Sequence, residues 1–386
     1  MPKKTALVHE WFSPRSLGGA EKVVQAIDKL LFEFGTETDL FALVNGETNQ
    51  KGSWLFKRSV NTSFIQKLPY GVSHVQKYLP LLPFAIEQLN VTDYPLVISS
   101  NHLVAKGVLT SPDQLHVCYV HTPVRYAWDQ MNIYLERSSL KYFGLEPLLR
   151  WQLYKLRQWD QISSARVDCL FANSRFTSKR IAKYWRRDST IIHPPVSVER
   201  FNWNKPRDDY YLSICRLVPN KRVDLVVRAF NQLQLPLIVV GDGPEKQFLK
   251  KIAGHNVTIL GYQNSERIKS LMEHCRAFVY AGVEDFGITP VEAMAAGAPV
   301  VALAKGGLLD TVRCLTENLE SATGILFKDQ TVQSLVEAIN WFEEKKIWKN
   351  LKPEAIRQRA NCFSTESFNL RFKEALIKAW NLHKKS

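Results

Sequence analysis

The sequence predicts an α/β protein built from two doubly wound, parallel-sheet domains. In both halves of the chain, short apolar runs of strand length alternate with longer amphipathic runs of helical period. The strand-length runs are apolar throughout, as expected where helices cover both faces of a parallel sheet. A length of 386 residues also favours two cores over one. A site in this architecture belongs at the carboxyl ends of the strands, facing the cleft between the domains.

The first half supplies four predicted strands. They are the apolar runs at 5–9, 96–100, 115–120 and 169–172. A Gly18-Gly19 pair follows the first run, and a helix is predicted from about Ala20 because apolar residues recur on one face. A long helical pattern from 140 to 164 separates the last two strands.

The second half repeats this alternation after the Pro194-Pro195 pair. The predicted strands are 210–215, 237–240, 257–260, 277–280 and 299–302, and the predicted helices are 223–232, 245–253, 265–274 and 290–296. A last helical pattern at 364–385 is too short to form a domain, so we expect it to dock on one of the other two.

Composition limits the partners and the compartment. The formal net charge is +14 and the pI about 9.4, which favours an anionic partner such as nucleic acid, anionic lipid or a phosphate-bearing substrate. Six scattered cysteines without a CxxC pair indicate reduced thiols and a cytoplasmic protein. No apolar run reaches the ~20 residues of a membrane-spanning helix, and no secretion signal is visible.

Two glutamates eight residues apart carry the strongest motif. Glu284 follows a predicted strand, Gly287 permits unusual backbone conformations, and Pro290 suits a first helical turn. Glu292 is therefore expected in that first turn. Backbone N–H groups in such a loop and helix start can cradle a diphosphate, and a nearby carboxylate can accept hydrogen bonds from ribose hydroxyls. The alternative is that Glu292 complements the helix dipole and Glu284 is a solvated charge.

A basic pair follows the first strand of the second half. Arg216 and Lys221, at a strand's carboxyl end, can clamp a pyrophosphate and stabilise charge on a departing phosphate. A solvated basic loop is the alternative, and the co-occurring glutamate loop argues against it. Gly241-Asp-Gly-Pro244 predicts a tight turn, and a nucleotide contact at Gly241 is an open alternative to a pure turn.

The first half has weaker candidates. Gly18 and Gly19 open a helix, where phosphate is favoured. His121 follows a strand, so it points to the cleft and can hydrogen-bond a sugar hydroxyl; a satisfied structural histidine is the alternative. Four neighbours form a polar and aromatic group typical of sugar contacts: Arg125, Tyr126, Trp128 and Asp129. Asn173-Ser174 is interpreted as a helix cap.

The sequence lacks metal-binding motifs and contains one segment typical of a membrane surface. The sequence has no DxD, no HExxH and no paired Cys/His spacing, and His9-Glu10 lacks a partner histidine, so no metal is expected. Basic and aromatic residues interleave from 137 to 187, which suits an anionic membrane surface or a phosphorylated lipid acceptor. Solvated helix faces with aromatic residues in the core explain the same pattern.

The order and spacing of these motifs resemble the GT-B retaining glycosyltransferases of family four, whose fold is two Rossmann-like domains facing across a cleft. The resemblance covers almost the whole chain, and its specific part is Glu284-x7-Glu292 with the upstream Arg216 and Lys221. The segment 121–129 is similar to a mannosyltransferase-like branch of O-antigen and exopolysaccharide assembly. One departure is Asp310, because relatives often have Glu at this point of a Gly-Gly-x-x-Glu motif.

The resemblance implies a role for each matching residue. Arg216 and Lys221 would bind the donor diphosphate, Glu292 the ribose hydroxyls, and Glu284 the transferred sugar. His121 would lie against the donor sugar. The remaining donor contacts would be the glycines that let the diphosphate approach and the backbone after Glu284: Gly18, Gly19, Asp285, Phe286, Gly287, Ile288 and Thr289.

The resemblance also implies the domain roles and the reaction. Residues 1–195, with the helix at 366–386 packed back on them, would bind the acceptor, and residues 196–365 the nucleotide-sugar donor. The expected activity is metal-independent, retaining transfer of a hexose, with mannose from GDP-mannose the favoured choice. The acceptor would be a saccharide or a lipid-linked sugar in cell-surface polysaccharide synthesis, at the inner face of the membrane. No cofactor is expected, because the nucleotide sugar is itself a substrate.

Two other functions were considered. A sugar-nucleotide isomerase or epimerase on the same fold would turn over the donor without an acceptor. A basic nucleic-acid-binding protein would bind DNA or RNA with a steep salt dependence, but the sequence has no recognition helix or RNA-binding signature.

Overall fold

The computed structural model describes residues 1–12, 18–137, 144–315 and 320–385. These residues form two compact units. The first unit comprises residues 1–193 and 369–386, and the second comprises residues 194–368. The sequence-based boundaries were 195/196 and 365/366. The first unit is therefore made of two separate stretches of chain, and the second of one.

The first unit contains a seven-stranded sheet in its described residues. The strands are β1 (Lys4–Phe12), β2 (Glu37–Asn45), β3 (Val60–Thr62), β4 (Leu96–Asn101), β5 (Leu115–Val120), β6 (Cys169–Ala172) and β7 (Thr190–Ile191). The helices are α1 (Gly19–Glu33), α2 (Leu82–Glu87), α3 (Met131–Arg137), α4 (Glu146–Ala165) and α5 (Arg175–Trp185), with short 3-10 turns at 64–67, 75–81 and 105–107.

The strand order of the first sheet is β3-β2-β1-β4-β5-β6-β7, and all neighbours are parallel. Chain order runs outward in one direction from β1 and in the other from β4. The strand order therefore reverses between β1 and β4, and the loops after these two strands diverge there. Such a switch point leaves a crevice at the carboxyl edge of the sheet.

The second unit repeats this plan with six strands. They are β8 (Tyr211–Ile214), β9 (Leu237–Val240), β10 (Val257–Gly261), β11 (Ala277–Tyr280), β12 (Val300–Leu303) and β13 (Gly324–Phe327). The helices are α6 (Val223–Leu233), α7 (Lys246–Ile252), α8 (Ser265–His274), α9 (Ile288–Ala295), α10 (Leu308–Thr311), α11 (Val332–Glu344), α12 (Ile347–Asn350) and α13 (Pro353–Asn361).

The second sheet has the order β10-β9-β8-β11-β12-β13, again all parallel. Its switch point lies between β8 and β11. A last helix, α14 (Thr365–His383), begins in the second unit and belongs to the first from Asn369 onward. There the Phe372 ring meets the rings of Phe171 and Tyr119, with centroids 5.5 and 6.5 Å away.

The prediction of two doubly wound parallel sheets is confirmed, and several predicted strands match within a residue at each end. The sequence analysis missed four strands, β2, β3, β7 and β13. Of these, β3 and β7 are short and partly exposed edge strands, so they lack a continuous apolar run. The predicted helix at 140–164 begins at Glu146 within the described residues.

A buried ion pair ties α4 to the turn after β4. Lys106 Nζ lies 2.6 Å from Asp160 Oδ1, and both side chains are fully buried. The indole N–H groups of Trp128 and Trp185 donate to Asp160 Oδ2 at 2.8 and 2.7 Å. The ammonium also lies 5.0 Å from the ring centroid of Trp159. Every oxygen of the carboxylate is therefore engaged, as a buried charge requires.

Three imidazoles of the first sheet are held in the neutral form. Burial lowers the pKa of His116 to about 3, with a smaller contribution from the positive charges of Arg166 and Lys106. Burial likewise lowers the pKa of His121 to about 3, helped by the neighbouring His102. Burial is also the main reason that the pKa of His9 is lowered. In the unfolded chain these groups bind protons near pH 6.5.

Replacing Asp160 with alanine is expected to destabilise the first unit by about 3–5 kcal/mol, because Lys106 would keep a buried charge without a partner. Denaturant unfolding followed by tryptophan fluorescence measures this. Asp209→Ala is the control, because Asp209 pairs with Arg276 while 87% exposed, and such pairs contribute about 1 kcal/mol or less. Equal losses for the two variants would contradict the account.

Acid is expected to destabilise the first unit between pH 6.5 and 4.5. The folded-state pKa values of His9, His116 and His121 are lowered. In this window the unfolded chain therefore binds more protons than the folded chain, and the free energy of unfolding decreases as the pH decreases. His116→Asn should reduce the slope of unfolding free energy against pH by up to about 1.4 kcal/mol per pH unit. Urea titrations across the window test this, and an unchanged slope would refute it.

Candidate functional site

The second unit places a charged cluster at its switch point. Lys221 ends a short 3-10 turn after β8, and Glu284 follows β11. The Lys221 ammonium and the Tyr280 hydroxyl both donate to Oε1 of Glu284. Lys221 and Glu284 are less than one-fifth exposed. The structure thus brings together two residues that are 63 positions apart and were singled out from sequence, and it adds Tyr280, which the sequence analysis missed.

Local packing fixes the lysine. A Cβ added to Gly282 would lie 3.0 Å from the Lys221 Cα and 3.1 Å from its carbonyl oxygen, so any other residue would push the loop after β11 and the lysine backbone apart by a few tenths of an ångström. Arg222, directly after the lysine, adopts a left-handed conformation and precedes α6. Arg216 is exposed and lies two residues beyond β8.

Two further glycines, Gly306 and Gly307, pack against the loop that carries Glu284. The backbone of Glu284 forms a parallel bridge with Gly306, and the Gly307 N–H donates to the Glu284 carbonyl at 2.8 Å. A Cβ on Gly307 would lie 2.3 Å from the carbonyl oxygen of Asp285. The sequence analysis considered Gly306 and Gly307 only as part of a motif ending at Asp310. In the structure they support the loop after β11.

The start of α9 differs from the prediction. Gly287 is left-handed, with φ at 93°, and the helix begins at Ile288. Pro290 is therefore the third residue of the helix, and Glu292 lies in its second turn, so the expectation of a first-turn Glu292 was wrong. The cause is the glycine, which starts the helix two residues earlier than the proline suggested. Glu292 is half-buried.

The remaining predicted donor contacts surround this helix start. Asp285, Ile288 and Thr289 are half-buried. The ring of Phe286 is buried and meets Phe363 at a centroid distance of 5.4 Å. Phe286 therefore offers a ligand its backbone rather than its ring.

Gly241 is required by packing against the strand end that carries Arg216. Its φ is 144°, and a Cβ there would lie 1.9 Å from the Cys215 carbonyl oxygen. The neighbouring Asp242 carbonyl accepts from the Leu217 N–H at 2.9 Å. The turn interpretation of this motif is confirmed, and the nucleotide contact at Gly241 stays a prediction.

The first unit places a buried carboxylate at its own switch point. Glu10 lies in β1 and is fully buried. Its Oε1 accepts from four successive backbone N–H groups, those of His102, Leu103, Val104 and Ala105, at 2.8–3.1 Å. Its Oε2 lies 3.0 Å from Nδ1 of His102. A single side chain thus fixes the whole turn after β4.

Glu10 and His102 shift each other's pKa values in opposite directions. Burial by itself would raise the pKa of Glu10, but the charge and hydrogen bond of His102, with His9 and the backbone N–H groups, hold it well below its usual value. Burial opposes a positive charge on His102, yet the Glu10 carboxylate outweighs it and raises the His102 pKa. His102 is 27% exposed. The Glu10 carboxylate therefore favours the protonated form of His102 at this edge of the sheet.

His121 lies beside this pair. Its Nε2 is 2.8 Å from the Ser100 hydroxyl, and its ring centroid is 6.4 Å from that of His102. The side-chain amide of Asn173 donates to its carbonyl at 2.9 Å. The residue is half-buried, and its pKa of about 3 keeps the ring neutral at ordinary pH. In a neutral imidazole, one ring nitrogen donates a hydrogen bond and the other accepts one.

The expectation that His9-Glu10 lacks a partner histidine was wrong, because a histidine distant in sequence lies beside this pair in the fold. His102, 92 residues away from Glu10, supplies it, and one ligand atom from each of the three residues lies within 4.8 Å of the others. A motif search along the chain cannot find such a group. Hydrogen bonds engage part of it: Glu10 Oε1 accepts four N–H groups and His9 Nδ1 donates to the Ser100 carbonyl at 3.1 Å. Within the described residues, Glu10 Oε2 and His9 Nε2 are buried without a hydrogen-bond partner beyond the ion pair of Glu10 with His102.

The aromatic segment after His121 is held by internal contacts. Trp128 stacks on Tyr184 of α5, with centroids 4.6 Å apart, and donates to the buried Asp160. Asp129 pairs with Arg180 of α5. Arg125 and Tyr126 are half-buried. The sugar-contact role of these four residues stays a prediction, while Trp128 and Asp129 have a clear structural role.

Two other sequence-based interpretations concern helix starts. The amide of Gly18 donates to the Glu21 carboxylate at 2.9 Å, and α1 begins at Gly19. Residues 13–17, just before this pair, lie outside the described part of the chain. The predicted cap at Ser174 is confirmed, because its hydroxyl accepts from the Thr177 N–H at 3.0 Å.

The basic segment 137–187 does not form one surface. Its later part is mixed: Lys179, Lys183 and Arg186 are exposed. Trp185 is buried, and Arg180 is buried against Thr122 and Asp129. Only its middle, around Trp151 and Tyr154, exposes aromatic rings, and residues 138–143 lie outside the described part. In the described ranges, every helix is too short or too polar to span a bilayer.

The chain is similar to glycosyltransferases in sequence. Residues 197–361, within the second unit, match the model of the glycosyl transferases group 1 family. The human alpha-1,3/1,6-mannosyltransferase ALG2 is 28% identical over 248 residues, covering 54% of this chain and 58% of that protein.

A second relative is a GDP-mannose-dependent phosphatidylinositol monomannoside mannosyltransferase from Mycolicibacterium smegmatis. It is 29% identical and covers 43% of this chain and 50% of its own length. The chain thus spans little more than half the length of these curated relatives.

Solved structures resemble the chain over nearly all of its length. Sucrose-phosphate synthase from Thermosynechococcus elongatus has a TM-score of 0.73 at 19% identity, covering 99% of this chain and all of that one. Anabaena HepE in complex with UDP has a TM-score of 0.67 at 17% identity, covering 97% and 100%. The chain therefore has the two-domain GT-B fold, and its second unit carries a region of the glycosyl transferases group 1 family.

Proposed function

We propose that this chain is a retaining, metal-independent glycosyltransferase that moves a hexose from a nucleotide-diphosphate sugar to a saccharide or lipid-linked acceptor. The observation that carries the proposal is the contact of Lys221 with Glu284 at the β8–β11 switch point. Ligands of doubly wound sheets bind at such points. The family match over residues 197–361 covers both residues.

Lys221 is proposed to neutralise the donor diphosphate. An ammonium has three N–H donors, and Glu284 accepts from one of them. A diphosphate beside the lysine would take further hydrogen bonds, with the exposed Arg216 as a second cation. Positive charge fixed before the reaction stabilises the negative charge that develops on the leaving phosphate.

The acid loop is proposed to hold the sugar and the ribose. Glu284 is oriented by Lys221 and Tyr280, so its second carboxylate oxygen can accept from a sugar hydroxyl. Glu292, one turn into α9, is proposed to accept from the ribose hydroxyls. The glycine-supported loop brings the backbone of residues 285–289 close to the ligand, where N–H groups favour phosphate.

The first unit is proposed to bind the acceptor and the reacting end of the donor sugar. The neutral His121 can hydrogen-bond a sugar hydroxyl without carrying charge. His102, held beside it by Glu10, would add a positive charge at the same sheet edge when it is protonated. Gly18 and Gly19, at the start of α1, keep their predicted role of admitting the diphosphate.

Retention of configuration is proposed to follow same-face attack. The bond between the anomeric carbon and the phosphate oxygen breaks, the acceptor oxygen bonds to the same face of that carbon, and the acceptor proton passes to the leaving phosphate. Glu284 is already engaged by Lys221 and Tyr280, which fits a binding role better than that of a nucleophile. The protein then contributes positioning and charge stabilisation.

Mannose from GDP-mannose is the proposed donor, in cell-surface polysaccharide synthesis at the inner face of the membrane. Two relatives are named as mannosyltransferases, one of them GDP-mannose-dependent. A structural neighbour was solved with UDP, so both nucleotides enter the test. The resemblance of segment 121–129 to O-antigen and exopolysaccharide enzymes supports the pathway class.

Lys221→Ala is expected to reduce the transfer rate by at least 10²–10³-fold, because one preorganised cation at a developing charge contributes this much. Transfer from radiolabelled GDP-mannose to a membrane extract or saccharide acceptor measures it. Lys246→Ala is the control, because Lys246 also pairs with a carboxylate, that of the exposed Asp242 four residues earlier in the chain. Near-normal turnover by the Lys221 variant would refute the role, provided that its melting temperature is unchanged.

Nucleotide binding is expected to raise the melting temperature, with GDP and GDP-mannose acting more strongly than the UDP and ADP compounds. A ligand at a hundred times its Kd stabilises the folded state by about 2.7 kcal/mol. Thermal-shift measurements with and without EDTA test the donor and the metal together. A response that EDTA removes would contradict the metal-free proposal, and donor turnover without acceptor would point to an isomerase or epimerase instead.

A further inference from the structure

The first unit exposes a set of large apolar side chains that the proposed chemistry does not use. One group lies between 64 and 84, and the other lies in and just before the first half of α4. Its members are Phe64, Tyr70, Leu81, Phe84, Leu145, Leu148, Trp151 and Tyr154, exposed by 37–79%. We refer to these eight residues as the aromatic face.

The two groups of the aromatic face are adjacent. The rings of Phe64 and Phe84 lie 5.8 Å apart. Next to Phe84, Pro83 lines a cavity of about 360 Å³ whose other wall includes Trp151 of α4. The remaining lining is mostly apolar: Leu79, Pro80, Gln152, Lys155, Leu156 and Trp159. On α4, Leu148 precedes Trp151 by three residues, so both occupy neighbouring positions on one side of the helix.

The charges around this face are positive. From residue 59 to residue 86, the stretch that includes the first group, the sequence contains two lysines, Lys67 and Lys77, and no Asp or Glu. Lys67, Lys77 and Lys155 are exposed. The Lys155 ammonium lies 5.9 Å from the Trp151 ring centroid and 6.0 Å from that of Tyr154. Cations therefore sit among the exposed rings.

Two acidic residues beside this face are already paired with arginines. Glu146, at the start of α4, accepts from Arg150 at 2.8 Å. Glu87, at the end of α2, accepts from Arg166 at 2.7 Å and from the Trp159 indole at 2.9 Å. Among the described residues, the net charge beside the aromatic face is therefore that of its exposed lysines, Lys67, Lys77 and Lys155.

Another exposed ring of the same unit shows that this combination is not general. Phe32 is 80% exposed. It lines a pocket with four carboxylates, those of Asp28, Glu33, Glu37 and Asp39, and two cations, Lys29 and Arg58. The net charge of this lining is negative, so it would repel an anionic partner, whereas the aromatic face would attract one.

We propose that the aromatic face docks the protein on the surface of an anionic phospholipid bilayer. Aromatic and leucine side chains would enter the boundary between headgroups and acyl chains, where amphipathic rings are favoured. Lys67, Lys77 and Lys155 would lie at the level of the phosphates, each contributing attraction to the negative surface. The occupant follows from charge complementarity, because exposed rings beside exposed lysines match an acidic lipid surface.

The inference adds a partner and a surface to the proposed function, since a lipid-linked acceptor would be met at this bilayer. Its test uses no nucleotide sugar, so the two proposals can fail separately. Absence of sugar transfer together with normal vesicle binding would contradict the proposed glycosyltransferase activity. Transfer to a soluble acceptor without vesicle binding would contradict the proposed docking surface.

The purified full-length chain should co-sediment with vesicles of phosphatidylcholine and phosphatidylglycerol at about 7:3, and much less with phosphatidylcholine alone. Binding should weaken between 0.1 and 0.5 M NaCl, because salt screens the lysines. Absence of sedimentation, or equal binding to both vesicles, overturns the proposal. A soluble protein bound through this face would give the first of these results.

Variants locate the surface. Phe84→Ser with Trp151→Ser is expected to weaken vesicle binding at least tenfold, and Lys67→Ala with Lys77→Ala by about thirtyfold, the equivalent of ~2 kcal/mol for two cations. Phe32→Ser is the matched control, because it removes a more exposed ring from an acidic surrounding. Unchanged binding in both double variants, or an equal loss in the control, rejects the assignment. Circular dichroism and melting temperature confirm folding in each case.

Discussion

The reversal of strand order in each parallel sheet is the constraint on which the rest of this molecule depends. Parallel strands all end at one edge, and the loops diverge only where the order turns back. In the first unit that place lies between β1 and β4, and Glu10 meets His102 across it. In the second it lies between β8 and β11, and Lys221 meets Glu284 across it. The same topology thus assembles a charged pair twice, from residues that are distant in sequence.

Buried charge then determines how rigid these places are. A carboxylate removed from water must recover its lost hydration through hydrogen bonds. Glu10 does so with four backbone N–H groups and a histidine, which leaves the turn after β4 with one conformation. Asp160 does so with Lys106 and two indoles, and thereby joins α4 to the segment that follows His121. Through α4, the aromatic face and the neighbourhood of His121 are parts of one stiff assembly.

The sequence was sufficient for the fold and for half of the candidate site. Continuous apolar runs identify buried strands, so the sheet plan and the positions of Lys221, Glu284 and His121 at strand ends could be predicted. Contacts between residues that are distant in sequence could not be predicted. His102 has no motif that links it to Glu10, and Gly282, Gly306 and Gly307 matter only because other backbones pass within 3 Å of the Cβ they lack. The early start of α9 depended on one left-handed glycine, whereas the proline was the more visible signal.

The discontinuity of the first unit has a consequence for biosynthesis. Translation delivers all of residues 194–368 before it delivers the part of α14 that belongs to the first unit. Until then, Tyr119 and Phe171 lack the ring of Phe372 that meets them in the finished protein. All residues of the second unit have therefore been synthesised while the first unit still lacks the stretch that covers these rings. The first unit reaches its final packing last, although most of it is made first.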